Sequence, residues 1–217
     1  MLIDPKFYML AEMIRTDMPK GQPDSPDSLP KLGAVVSMAG DGDHLEIGTG
    51  FGASAIMAAL VKHEFNLGGK VWCIDPYLPG EKADVLQASI EMLNENAVHF
   101  KVAEKLVLLP NKSLPLPEEV KEKAFVSAYI DGDHDGMAPW MDFLALRGIV
   151  KKFVCFGGFE EFYPGVMVAA IRALTIGGWI LHYKAGNFIS LRRPVDFSDY
   201  MKMKPAEQAK RREASLV

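Results

Sequence analysis

The chain has 217 residues and a formal net charge of -4, with 24 lysines and arginines against 28 aspartates and glutamates. A chain of this length forms one domain that buries roughly 70% of its unfolded surface, and its negative charge gives no basis for general nucleic-acid binding. No apolar run is long enough to span a bilayer and residues 1–20 lack a secretory signal, so we expect a cytoplasmic protein without membrane contact.

The first 30 residues combine a helix pattern with a turn-rich loop. Phe7, Leu10, Met13 and Ile14 recur at helical spacing. Residues 21–30 are rich in proline, aspartate and serine, which excludes regular structure there. We predict that residues 1–30 form a lid or a contact in a homo-oligomer, ahead of a main domain at residues 31–194.

Helix and strand patterns alternate through the main domain. Helices are predicted at 31–39, 54–60, 82–96, 137–150 and 165–174, and strands at 44–48, 70–75, 98–102, 124–131, 153–156, 179–183 and 188–193. Such alternation predicts a mainly parallel sheet with helices on both faces. Only four residues separate the last two strands, which predicts an antiparallel hairpin. The fold class is therefore a three-layer α/β/α sandwich around a seven-stranded sheet.

Two further features complete this outline. Cys73 and Cys155 lie in apolar, strand-like segments, so we expect buried, reduced thiols and no zinc site. Residues 195–217 are polar and locally basic, which predicts a solvated C-terminal tail.

A glycine-rich turn follows the first predicted strand. Gly48, Gly50 and Gly52 alternate directly before a predicted helix. Glycines let a ligand approach the backbone closely, and the free N–H groups of a helix start point towards it. The spacing of Gly48, Gly50 and Ala53 also matches the dinucleotide pattern, so the glycines alone leave the ligand open.

Two acidic residues beside this turn help to distinguish a dinucleotide from other ligands. Asp75 ends the second predicted strand, where ligands of open α/β sheets bind, and its carboxylate can hold ribose hydroxyls. Glu46 precedes Gly48 by two residues, where it would repel a pyrophosphate but attract an ammonium group. The ligand then has a ribose at one end and an amino-acid group at the other, a description that S-adenosylmethionine fits.

The fourth predicted strand ends in Asp131-Gly132-Asp133-His134. His134 is the candidate general base for a hydroxyl acceptor, because imidazole titrates near neutral pH. Asp131 and Asp133 are candidate catalytic residues that could instead bind Mg²⁺. The structural alternative is an Asp/Gly turn with a helix-capping aspartate.

Three segments, Glu46 to Ser54, Cys73 to Tyr77 and Tyr129 to His134, resemble those of class I S-adenosylmethionine-dependent methyltransferases. The resemblance covers about residues 30–193 and is strongest to methyltransferase family 24, the small O-methyltransferases with an Asp-Gly-Asp-His motif. It implies a Rossmann-like fold, S-adenosylmethionine as cofactor, and O-methylation of a small hydroxylated acceptor such as a sugar.

The resemblance also implies roles for individual residues. Glu46 would hold the methionine amine, Ser54 the methionine carboxylate and Asp75 the ribose. The remaining cofactor-binding candidates are Gly48, Thr49, Gly50 and Gly52 in the turn, Glu104 beside the adenine, and Asp131.

The segment after the fifth predicted strand departs from the family. Metal-dependent relatives place an acid there, whereas this chain has Gly157-Gly158-Phe159, so a metal site would need Glu160 as its third ligand beside Asp131 and Asp133. Aromatic side chains near the same edge are candidates for an acceptor pocket, namely Trp140, Phe159, Phe162 and Tyr163. Three other functions stay open at this point: a nicotinamide-dependent oxidoreductase, a glycosyltransferase, and a non-catalytic S-adenosylmethionine-binding protein.

Overall fold

The computed structural model describes residues 3–20, 27–76 and 83–194. The predicted basic tail at 195–217 lies outside these residues. Within the described ranges, no helix combines the length and the apolar character needed to cross a bilayer.

Two helices precede the sheet. The first, α1 (Pro5–Asp17), starts where the Asp4 carboxylate accepts the Lys6 N–H at 2.8 Å, with Pro5 at the first helical position. The second, α2 (Leu29–Ala39), begins two residues before its predicted start. Phe7, Leu10 and Ile14 are buried among residues of α2 and the following helix, so the predicted N-terminal helix is packed into a core.

Seven strands form one sheet in the order β3-β2-β1-β4-β5-β7-β6. The strands are β1 (Asp43–Ile47), β2 (Val71–Ile74), β3 (Leu106–Leu109), β4 (Phe125–Ile130), β5 (Val150–Phe156), β6 (Ile180–Ala185) and β7 (Phe188–Arg192). The helices between them are α3 (Ala53–Glu64), α4 (Ala83–His99), α5 (Glu118–Lys121), α6 (Ala138–Leu146) and α7 (Pro164–Thr175). Strands β1 to β5 pair in parallel, while β7 pairs antiparallel with β5 and β6. The predicted fold class is confirmed.

The period of two along each strand divides the side chains between two cores. On β1, Leu45 and Ile47 pack in the core that contains α6 and α7. Cys73 and Cys155 face the other core, with α1, α2 and α3, and both are buried free thiols, as the sequence predicts.

The predicted third strand at 98–102 is wrong. These residues are the end of α4 and the turn after it, with Lys101 at φ 57° and the Val102 N–H donating to the Ala97 carbonyl at 2.9 Å. Leu93 and Ala97 are buried four residues apart, which is helical spacing, and Val98 is 66% exposed. Burial of one helix face therefore overrides the strand propensity of Val98, and the third strand is Leu106–Leu109.

The turn of the C-terminal hairpin is shorter than the four residues predicted from the sequence. Ala185 pairs with Phe188, so only Gly186 and Asn187 form the turn, with Gly186 at φ 56°. This places Asn187 at the same edge of the sheet as the residues that follow β5, because its carbonyl accepts the Phe159 N–H at 2.8 Å.

Candidate functional site

A cavity of about 810 Å³ lies where the parallel strands end. Segments that follow β1, β2, β3, β4 and β5 all contribute to its wall. The predicted site residues that line it are Gly48, Thr49, Gly50, Ser54, Asp75, Asp131, Asp133, His134 and Glu160. The structure thus brings together most of the residues selected from three separate sequence segments.

The glycine turn approaches the end of β4 closely. Gly48 has φ 81°, and a Cβ atom there would stand 2.4 Å from the Asp131 carbonyl oxygen. No side chain fits between the two segments, so the turn and the Asp131 backbone are in direct contact. Gly52 also has a positive φ, but it packs against Leu93 of α4 and does not line the cavity.

We expect Gly48→Ala to lower the free energy of unfolding by at least about 2 kcal/mol, because it adds both backbone strain and a clash with backbone atoms. Gly50→Ala is the matched control, since Gly50 has φ 50° but a Cβ atom added there would have nothing within 4 Å. It should lose only about 1–2 kcal/mol, the cost of the left-handed backbone. Urea unfolding of both variants measures the difference, and equal losses would contradict the close contact.

Asp75 connects the second strand to the glycine turn. Its Oδ2 atom accepts the N–H groups of Thr49 and Gly50, both at 3.0 Å. The same carboxylate lines the cavity. Two backbone donors of the turn are therefore already bound by an acidic side chain of the protein.

Glu46 lies directly behind Ser54. Its Oε1 atom accepts the Ser54 hydroxyl at 2.7 Å, while its buried Oε2 atom has no hydrogen-bond partner among the described residues. Ser54 lines the cavity but Glu46, with no exposed surface, does not. Burial raises the pKa of Glu46 well above its ordinary value; the Ser54 hydrogen bond opposes this, and the nearby Asp131 and Asp75 raise it further.

Asp131 is held by its neighbours on several sides. The His134 Nε2 atom lies 3.1 Å from its Oδ1 atom, and the Tyr129 hydroxyl lies close to the same carboxylate. A Cβ on Gly157 would stand 2.1 Å from Asp131 Oδ1, so a larger residue there would displace the Asp131 carboxylate. Sequence reasoning missed Tyr129, although it lies two residues before Asp131 and thus on the same face of β4.

His134 forms one wall of the cavity with Tyr163, whose ring centroid lies 4.5 Å from that of the imidazole. The hydrogen bond to Asp131 raises the pKa of His134, burial opposes the rise, and the charges of Asp131, Asp133 and Asp135 add to it. The imidazole is therefore a stronger base than a free histidine.

The predicted metal ligands do not form a site. Asp131 is engaged by His134, and the Asp133 carboxylate accepts the Asp135 N–H at 2.9 Å. Glu160 follows β5 too late to join them and is exposed. In the described part of the chain, no three His, Cys, Asp or Glu side chains converge to hold a metal ion.

The predicted position of Glu104 is also wrong. Glu104 lies in a short 3₁₀ turn, Ala103–Lys105, that precedes β3 at the opposite edge of the sheet. Its side chain is exposed and its carbonyl accepts a hydrogen bond from Lys70. The residues that follow β3 and line the cavity are Lys112, Ser113 and Leu114. The error follows directly from the misplaced third strand.

Most of the aromatic side chains predicted for an acceptor pocket do not line the cavity. Tyr163 alone among the four predicted aromatics lines the cavity; Trp140 is buried against Phe143 and Phe162 is 78% exposed. Ser28 and Asn187 also line the cavity, joined by a hydrogen bond of 2.8 Å. No sequence pattern marks these two residues, because they lie 159 positions apart in the chain.

The charged side chains of the cavity are mostly acidic. Lys112 is the one lysine or arginine among the described lining residues. The lining carboxylates are Asp75, Asp131, Asp133, Asp142 and Glu160. A ligand that carries positive charge is therefore favoured over one that carries negative charge.

The sequence matches no protein-family model and no curated protein. Solved structures of O-methyltransferases are nevertheless similar in fold. One from Bacillus cereus in complex with S-adenosylhomocysteine (SAH) has a TM-score of 0.59 at 15% identity, over 88% of this chain and 91% of that chain. An S-adenosylmethionine-dependent O-methyltransferase from Thermotoga maritima has a TM-score of 0.59 at 13% identity, over 86% and 72%.

A third similar structure is the O-methyltransferase TomG from Streptomyces achromogenes, involved in tomaymycin synthesis and solved in complex with S-adenosylmethionine. Its TM-score is 0.53 at 14% identity, over 88% of this chain and 91% of that chain. Similarity at such low identity establishes architecture and not activity. The chain therefore has the fold of the class I S-adenosylmethionine-dependent O-methyltransferases.

Proposed function

We propose that the protein is an S-adenosylmethionine-dependent methyltransferase that methylates a hydroxyl group of a small molecule such as a sugar. The observation that carries this proposal is the acidic cavity built around the glycine turn. S-adenosylmethionine brings an ammonium and a sulfonium charge, which suit a cavity lined by five carboxylates and one lysine among the described residues.

The same cavity disfavours a nicotinamide dinucleotide. A pyrophosphate in this position needs the backbone N–H groups of the turn. The Asp75 carboxylate accepts two of these, from Thr49 and Gly50, and would also repel the phosphates. The fold neighbours described above are methyltransferases, which agrees with the proposal.

The residues around the turn fit the cofactor. The buried, unpartnered Glu46 Oε2 atom offers a charge-assisted hydrogen bond to the methionine ammonium, next to Ser54 for the methionine carboxylate. Asp75 would hold the ribose at the end of β2. When bound, S-adenosylmethionine supplies an electrophilic methyl group on a cationic sulfur.

His134 is the proposed general base. Its Nε2 atom is bound to Asp131, while its Nδ1 atom makes no hydrogen bond with the described residues and can accept the proton of the acceptor hydroxyl. Asp131 orients the ring and stabilises the imidazolium that forms, and Asp133 contributes negative charge nearby. Holding the hydroxyl in line with the methyl group supplies on the order of 7–11 kcal/mol of the catalysis.

We expect Asp75→Ala to weaken SAH binding by about tenfold or more, because it removes the proposed ribose acceptor and releases two N–H groups of the turn. Calorimetric titration measures this change. Asp135→Ala serves as the control, since Asp135 is exposed and does not line the cavity. Unchanged affinity in Asp75→Ala would remove Asp75 from the binding site.

Methyl transfer itself is tested by incubating the protein with S-adenosylmethionine and a panel of sugars, phenols and other hydroxylated metabolites. We expect acceptor-dependent formation of SAH together with one methylated product. Tight binding of SAH with no turnover of any acceptor would favour the non-catalytic alternative. Transfer that is retained in EDTA would agree with the lack of a fitting metal site among the described side chains.

A further inference from the structure

We propose that Asp142, which lines the same cavity as Ser113, recognises the exocyclic amino group of the cofactor's adenine. This inference rests on the proposed function, since it concerns the base end of the same cavity. The sequence predicts that Glu104 lies beside the adenine. The adenine contact is instead assigned to Asp142 and Ser113, which lie outside the sequence motifs.

Asp142 is a buried acid that faces the cavity. It lies in the second turn of α6, has 3% of its surface exposed and lines the cavity wall. The Ser113 hydroxyl lies close to its carboxylate. A carboxylate has about four acceptor positions, so Asp142 retains most of its capacity for a ligand.

The direction of the bound cofactor leads to this residue. The amino-acid group would lie at the turn after β1 and the ribose at Asp75 after β2, the adjacent strand. The next strand outward is β3, and the loop after it lines the cavity with Lys112, Ser113 and Leu114. A base attached to the ribose therefore reaches Ser113, where Asp142 arrives from α6.

The chemistry of this corner matches adenine. Ile74 and Pro76, which flank Asp75, and Leu114, which follows Ser113, line the cavity and offer apolar surface to the faces of the base. The edge of adenine carries an amino group with two N–H donors, and a carboxylate oxygen is their natural acceptor. Burial raises the pKa of Asp142, the Ser113 hydrogen bond opposes this, and Asp133 adds to it. A further donor would stabilise the ionised carboxylate.

The test compares SAH with its 6-desamino analogue, in which purine replaces adenine, by calorimetric titration of the full chain. We expect the wild-type protein to bind the analogue about tenfold more weakly, because a buried acceptor is left unpaired. In Asp142→Ala both ligands should bind with equal affinity, since the residue and the amino group then no longer interact. Ser113→Ala should reduce the ratio, whereas Asp135→Ala should preserve it.

Each outcome separates this inference from the proposed function. If SAH binds and the wild-type ratio is near one, the adenine contact is overturned while the methyltransferase proposal stands. If Asp142→Ala still binds SAH more tightly than the 6-desamino analogue, the contact between Asp142 and adenine is also overturned. If SAH does not bind at all, both proposals fail. The wild-type ratio needs no variant, so a ratio near one overturns the inference even if Asp142→Ala does not fold.

Discussion

Replacing Glu46 by glutamine should weaken SAH binding by about 10–100-fold, because the neutral amide cannot form the charge-assisted hydrogen bond with the methionine ammonium. The same change should stabilise the unliganded protein at neutral pH. The amide of the Glu46→Gln variant keeps an acceptor for the Ser54 hydroxyl but carries no buried charge. Calorimetry measures the first effect and urea unfolding the second.

The raised pKa of Glu46 explains why Glu46→Gln should stabilise the unliganded protein at neutral pH. The pKa of Glu46 is raised in the folded protein, so the folded state retains a proton that the unfolded chain releases. Stability is greatest below the unfolded pKa of about 4.3 and falls as the pH rises from there through the raised pKa. Glu46→Gln should lose this slope, whereas Glu122→Gln, at an exposed carboxylate, should keep it. A destabilised variant with unchanged SAH affinity would make Glu46 a purely structural residue.

His134→Ala should lower the rate of methyl transfer by about 10²–10⁴-fold and leave SAH affinity unchanged, because a general base acts on the acceptor and not on the cofactor. The wild-type rate should rise with pH through the raised pKa of His134, since the imidazole must be neutral to accept a proton. That rise should be absent from the variant.

The acceptor found by the panel provides the assay for this second prediction. Asp135→Ala is again the control, as Asp135 contributes charge near His134 but does not line the cavity. It should shift the pH profile slightly towards lower pH and retain the rate. A full rate in His134→Ala would assign proton removal to another group, and Asp131 would be the next candidate.

The architecture could be predicted from sequence because most elements carry their own signal. The strand and helix around the glycine turn are local patterns, and the four-residue spacing before Phe188 identifies the hairpin. The third strand was predicted wrongly because Val98, Phe100 and Val102 alternate as residues of a strand do. The conformation of this segment is instead set by the packing of α4. The true strand, Leu106–Leu109, is only half-buried and lacks that alternation.

The site was predictable where function depends on the ends of neighbouring strands. Gly48, Asp75 and Asp131 meet because parallel strands end at one edge of the sheet. The same rule also carries an error in a strand over to the site. Because the third strand was predicted at the wrong residues, Glu104 was predicted at the wrong edge of the sheet. The position of Glu46 behind Ser54 depends on packing around α3, which no spacing in the sequence encodes.

Residues on helices and distant loops escape sequence reasoning altogether. Asp142 belongs to an apolar helix, and its meeting with Ser113 is a tertiary contact. The same holds for Ser28 and Asn187. The predicted lid or oligomer role of residues 1–30 stays a prediction, although α1 is packed against the main domain. The cytoplasmic location and the small-molecule acceptor likewise remain predictions.

Calorimetric titration of the full chain with SAH and, separately, with NAD tests the central claim most directly. The acidic cavity predicts one SAH bound per chain and no heat of binding from NAD. At a SAH concentration 100-fold above its dissociation constant, the protein should also gain about 2.7 kcal/mol of stability. Binding of NAD without binding of SAH would contradict the account.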